Sequence, residues 1–67
     1  MKIGELAKRS GCSIQAIRHY EKEGLISEPA RTDGNFRIYS TGALEKLSFI
    51  KNCRALDLTL SEIKHLI

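Results

Sequence analysis

Apolar residues recur with helical spacing in four stretches of this 67-residue chain. Ile3, Leu6 and Ala7 stand at i, i+3 and i+4, the spacing of one buried stripe, and predict a first helix over 3–10. Glu5 in its first turn, and Lys8 and Arg9 in its last, suit the helix dipole, and Gly11 is a natural stop. A second helix is expected after Ser13, a good N-cap. Ile14, Ile17 and Tyr20 or Glu21 fall on one side of it, and Gln15, Arg18, His19 and Lys22 on the other. Gly24 should end it and let Leu25 pack back. A third pattern, from about Thr41 to Leu56, puts Leu47, Ile50 and Cys53 on a broad apolar side, with Ser40 or Thr41 as cap. The fourth opens with a capping box, Thr59 and Glu62, and Leu58 and Ile63 occupy the positions of a hydrophobic staple. Leu66 and Ile67 lie inside a live apolar periodicity, which reads as a fragment boundary or as an edge that meets a partner.

Between the second and third patterns the period changes. Pro29 forbids helix, Asp33-Gly34 is a turn dipeptide, and "FRIY" alternates after it, so a short β-hairpin is expected. Phe36 and Ile38 are assigned to the core side, Arg37 and Tyr39 to the solvent side.

A chain this short forms one domain and hides only ~60% of the surface its unfolded form exposes. With 42% hydrophobic and 28% charged residues it falls among folded globular chains rather than disordered ones. The net charge of +3 and pI of about 9.1 fit a polyanionic partner only if the charge gathers on one face. Cys12 and Cys53 form no CxxC pair, so neither a zinc motif nor a disulfide framework is suggested, and both read as small buried apolar groups. There is no apolar run of signal-peptide or membrane-spanning length, so the expected compartment is the cytoplasm, with reduced thiols and no membrane partner. Paired carboxylates, a Gly-rich phosphate loop and a nucleophile beside a base are all missing, so an enzyme is not expected; Glu5, Glu21 and Glu23 read as helix-terminus and i,i+4 partners.

Two helices joined by a short Gly-containing turn make a helix-turn-helix. The Gln15-Arg18-His19-Lys22 face offers donors and positive charge, which suits the major groove, where Arg pairs with guanine and Gln with adenine. A hairpin carrying Arg31, Arg37 and Tyr39 would lie along the phosphate backbone as a wing. The bland alternative is a helical hairpin with a solvated charged face. Lys46, Lys51 and Arg54 give the third helix a partly basic side, and His65 is placed on the surface.

These motifs also carry a family resemblance. "IGELAKRSGCSIQAIRHYEKEGLI", "RTDGNFRIYS" and "LDLTLSEIKHLI", in that order and spacing, resemble the N-terminal DNA-binding domain of the MerR (mercury-resistance regulator) family, over essentially all of residues 1–67. "EPARTDGNFRIYS" with "FIKNCRALDLTLSEI" is most similar to the branch that senses divalent heavy metals such as cadmium and lead. The resemblance implies a mainly α fold, a winged helix-turn-helix of four helices and a two-stranded wing. It implies a homodimer on a near-palindromic promoter in the full-length regulator, and a monomer for this chain alone. Activation would work by distorting promoter DNA so that RNA polymerase engages both promoter elements. The candidate DNA-binding residues are Ser13, Gln15, Arg18, His19, Tyr20, Lys22, Arg31, Arg37 and Tyr39; of these, the resemblance implies Arg18 on DNA with Tyr20 beside it at the backbone, and Arg37 and Tyr39 on phosphates. Where many members carry Tyr-Tyr, this chain has His19-Tyr20. The family's dimerisation helix and effector-binding part are not in these residues, so no cofactor is implied here, though a divalent heavy metal is implied for the full-length regulator. The rivals are a small excisionase-like DNA-architectural protein on the same fold, and a metal-binding or protein-interaction module.

Overall fold

A computed structural model describes residues 1–27, 30–31, 34 and 37–67, with only the backbone described for Ala30 and Arg31. In chain order the elements are α1 (Ile3–Ser10), α2 (Ile14–Lys22), β1 (Ala30–Arg31), β2 (Arg37–Ile38), α3 (Thr41–Ala55) and α4 (Leu60–Leu66). The strands pair antiparallel, with Ala30 opposite Ile38 and Arg31 opposite Arg37. The expected Asp33-Gly34 turn and the inward Phe36 lie, Gly34 apart, outside the described residues.

Local chemistry sets the helix ends. Gly11 stops α1 at φ 74° and donates its N–H to the Ala7 carbonyl. That left-handed conformation is open to glycine and strained for residues with a Cβ. Ser10, buried beside it, stitches the turn: its hydroxyl donates to the Ala7 carbonyl and accepts from the Cys12 N–H at 3.2 Å. Ser13 caps α2, accepting the Ala16 N–H at 3.0 Å. Gly24, at φ 78°, closes α2 with paired bonds from its own N–H to the Glu21 carbonyl and from the Leu25 N–H to the Tyr20 carbonyl. Helix α3 ends the same way one residue earlier than expected, with Asp57 at φ 63° in the left-handed position. Both bonds of the Thr59–Glu62 capping box form on α4.

Each helix sends a stripe into one core. Leu6, Ile17, Leu47, Ile50 and Ile63 are fully buried, with Leu25, Ile26 and Cys53 beside them. Each fully buried Leu or Ile contributes about 1.5–3 kcal/mol. Two expectations are corrected. Ile14 is 41% exposed at the first position of α2, so the helix crossing rests on Ile17 and the half-buried Ala7 and Cys12 without it. Tyr39 is buried at 2% exposure, not turned to solvent. Arg37 and Tyr39 do share one side of the strand, as alternation requires, but that side faces the end of α2. The backbone there is held by the chain start: the Met1 ammonium donates to the Tyr39 carbonyl and the Tyr39 N–H to the Met1 carbonyl, both at 2.6 Å.

Gly11→Val places a β-branched residue in the left-handed region and should lower stability by about 1–2 kcal/mol, several degrees in Tm for a domain this small. Thermal unfolding checks this; an unchanged Tm would refute the turn geometry.

Candidate nucleic-acid interface

Helix α2 carries the side chains that the sequence singles out. Because Ile17 is drawn into the core, the opposite face must point outward, and Gln15, Arg18, His19 and Lys22 are all exposed. They rise in successive turns of one face, with exposed Ser13 at its start. Tyr20 is half-buried and its ring packs tilted against His19, centroids 6.1 Å apart. Among the described residues, no ion pair or side-chain hydrogen bond holds Arg18 or Lys22, so both cations are available to an anion.

Among the described residues, the Glu21 carboxylate ties the wing to this helix. Arg37 donates from Nη1 to Glu21 Oε2 at 3.0 Å, and the Tyr39 hydroxyl donates to Glu21 Oε1 at 3.1 Å. The Glu21 side chain retains 11% of its exposure and that of Arg37 41%. The guanidinium is therefore held on the carboxylate by Nη1 while the Arg37 side chain as a whole stays partly exposed. Glu21 is thus not the local helix partner that its position suggested; its contacts lie 16 and 18 residues away. Glu5, by contrast, does pair at i,i+4, with Arg9 at 3.8 Å. Burial raises the Tyr39 phenol above its usual range, and its bond to the Glu21 carboxylate raises it further. Arg31 stands opposite Arg37 in the ladder, which places both basic residues on the wing.

The basic side of α3 divides. Arg54 reaches forward past the end of α3 to donate to the Leu58 carbonyl at 3.1 Å. Lys51 reaches over the helix-turn-helix turn, where a Cβ added to Gly11 would meet its Nζ at 2.5 Å. Cys53 is buried, and the half-buried Cys12 thiol leans on the Ser10 carbonyl at 4.0 Å. His65 is exposed. No group of three or more His, Cys, Asp or Glu among the described residues is placed to hold a metal ion. No described helix is long and apolar enough to cross a membrane. Two contributors escaped sequence reasoning. The sequence marks Ser10 only as the end of the first helix, in the polar "SGCS" run, and Glu21 only as a helix-terminus or i,i+4 partner.

Comparison with known proteins agrees with this fold. The family described as MerR HTH family regulatory protein matches residues 1–67. A ZntR-homologue transcriptional regulator of Haemophilus influenzae is 60% identical over 67 residues, covering 100% of this chain and 50% of the relative. The transcription regulator PbrR691 of Ralstonia metallidurans CH34, solved in complex with lead(II), superposes with a TM-score of 0.91 at 55% identity, over 98% of this chain and 52% of that one. HiNmlR, a MerR family regulator lacking the sensor domain and solved bound to promoter DNA, superposes with a TM-score of 0.89 at 26% identity, over 98% of this chain and 50% of its own. The chain therefore spans about half the length of these relatives, which are transcription regulators rather than enzymes.

A raised folded-state pKa means that protonated Tyr39 stabilises the fold fully below the ordinary value of ~10 and ceases to as pH rises through the folded value. Melting temperatures should fall above about pH 10, and fall less steeply in Tyr39→Phe. Superimposable profiles for the two proteins would contradict the buried phenol.

Proposed function

Because the chain belongs to the MerR family of helix-turn-helix regulators, and to its heavy-metal-responsive branch, we propose that its exposed α2 face reads a promoter sequence while the wing grips the flanking phosphates. The single observation that carries this reading is the exposed Gln15-Arg18-His19-Lys22 row on a helix whose other face is locked into the core. Arg18 and Gln15 are the base-reading pair, able to engage guanine and adenine edges. Ser13, His19, Tyr20 and Lys22 border that pair and hold the register, largely through phosphates. Arg31 and Arg37 supply the wing's charge. Tyr39, buried, takes no direct DNA contact in this reading and serves through Glu21.

Support for a duplex partner comes from the likeness to HiNmlR, a regulator solved on promoter DNA. The full-length protein would bind as a homodimer, distort the promoter and so let RNA polymerase engage it, and would answer a divalent heavy metal, as the lead(II) complex of PbrR691 suggests. A small architectural protein on the same fold is the weaker reading, because the relatives are regulators.

The test is a fluorescence-anisotropy titration over a salt series, with one near-palindromic metal-resistance-type promoter and one scrambled duplex. Tighter binding to the promoter, with a salt slope of several ions, is expected. No binding to either duplex at low salt would overturn the reading. Arg18→Ala should weaken promoter binding by about 1–3 kcal/mol and relax base preference. Arg37→Ala should weaken both duplexes alike and flatten the salt slope by about one unit. Equal losses on both duplexes for both variants would overturn this division between base reading and phosphate grip.

A further inference from the structure

We propose that Glu21 is a positioning residue for DNA binding: its carboxylate, gripped by Arg37 and Tyr39, holds the Arg37 guanidinium at a fixed offset from the recognition helix. The inference rests on the DNA-reading function proposed above and adds a residue that would never touch DNA itself. Arg37 donates to Oε2 and Tyr39 to Oε1, so both oxygens of one carboxylate are committed to the wing. Glu21 sits on the last turn of α2, two residues after His19 of the exposed Arg18-His19 pair. Tyr39 is in turn fixed by the core around its ring and by two backbone bonds to Met1. The bridge thus joins a rigid end of the wing to the helix that would lie in the groove.

Stability alone does not explain this arrangement. An ion pair with one partner 41% exposed contributes little to folding, about 0–1 kcal/mol. Nor does simple charge favour it, since a carboxylate next to a phosphate-binding arginine opposes a polyanion. What the bridge supplies is geometry. A free Arg side chain loses its rotamer freedom when it seizes a phosphate, whereas a pinned one has lost it already. Guanidinium has five N–H donors in a rigid fork. With Nη1 on the carboxylate and the side chain 41% exposed, donors remain that a phosphate could engage without breaking the bridge.

The two accounts predict opposite signs, which makes Glu21→Gln decisive. Gln can still accept the Tyr39 hydroxyl but loses the charge that holds Arg37, and the formal net charge rises from +3 by one. Bulk electrostatics then predicts tighter binding and an unchanged or steeper salt slope. Positioning predicts binding weakened about three- to tenfold on promoter and scrambled duplexes alike, with the slope flattened toward that of Arg37→Ala. In an Arg37→Ala background Glu21→Gln should weaken binding no further, because the group it positions is gone; a purely structural role for Glu21 would persist there. Tyr39→Phe loosens the same carboxylate without altering charge and serves if Glu21→Gln melts below the assay temperature. It should weaken binding about twofold, again only when Arg37 is present. Tighter binding by Glu21→Gln, or equal losses with and without Arg37, overturns the proposal while leaving the DNA-reading function standing. Failure of the unaltered protein to bind any duplex removes that function instead.

Discussion

The packing of one apolar stripe from each of four short helices into a shared core is the constraint on which everything else in this molecule depends. In a chain of 67 residues there is one interior to fill, and Leu6, Ile17, Leu47, Ile50 and Ile63 fill it from every helix. At 8, 9 and 7 residues, α1, α2 and α4 are too short to be stable in water by propensity alone. Their orientation is therefore decided by which stripe goes inward. Once Ile17 is buried, the rotation of α2 about its axis is settled, and with it the outward display of Gln15, Arg18, His19 and Lys22. The candidate interface is the reverse side of the core.

The turn between α1 and α2 converts that packing into a fixed crossing. Gly11 adopts the left-handed conformation, and buried Ser10 satisfies both a carbonyl behind it and an N–H ahead of it. The Ala7 carbonyl already accepts the Gly11 N–H, so the hydroxyl matters most for the Cys12 N–H, since a buried backbone group without a partner costs about 1–3 kcal/mol. Lys51 lies across the same turn from α3. The third helix thereby closes over the motif that it supports.

Much of this was legible in the sequence because the signals are local. Caps, stop glycines and the capping box act within four residues, and the bounds of α1, α2 and α4 follow from Gly11, Ser13, Gly24, Thr59 and Glu62. The Schellman turn at Asp57 was missed because aspartate only tolerates, and does not demand, the left-handed region. The wing shows the deeper limit. A period of two says that Arg37 and Tyr39 share a side, but not which side meets solvent, since that depends on where the hairpin docks. Glu21 was read as a local helix partner for the same reason: its actual donors are distant in sequence and reach it only after the wing folds against α2. Ile14 failed differently. It has helical spacing with Ile17, yet it is the first residue of the helix and stays exposed.

These features bear on how so small a domain could discriminate among DNA sites. A net charge of +3 gives only a modest electrostatic footprint, so a single copy gripping one half-site would hold it weakly. Added cations would raise affinity for all sequences equally and would not improve selectivity. Holding a few donors rigidly does improve it, because a wrong base then leaves a donor unpaired instead of letting the side chain seek another partner. Two such rigid units joined in one molecule would convert the second half-site contact into an intramolecular event, at an effective concentration set by the linkage. On that reading, the wing pinned to the recognition helix and the doubling of the domain serve one end: a protein of low charge gains specificity from fixed geometry within each copy and fixed spacing between copies.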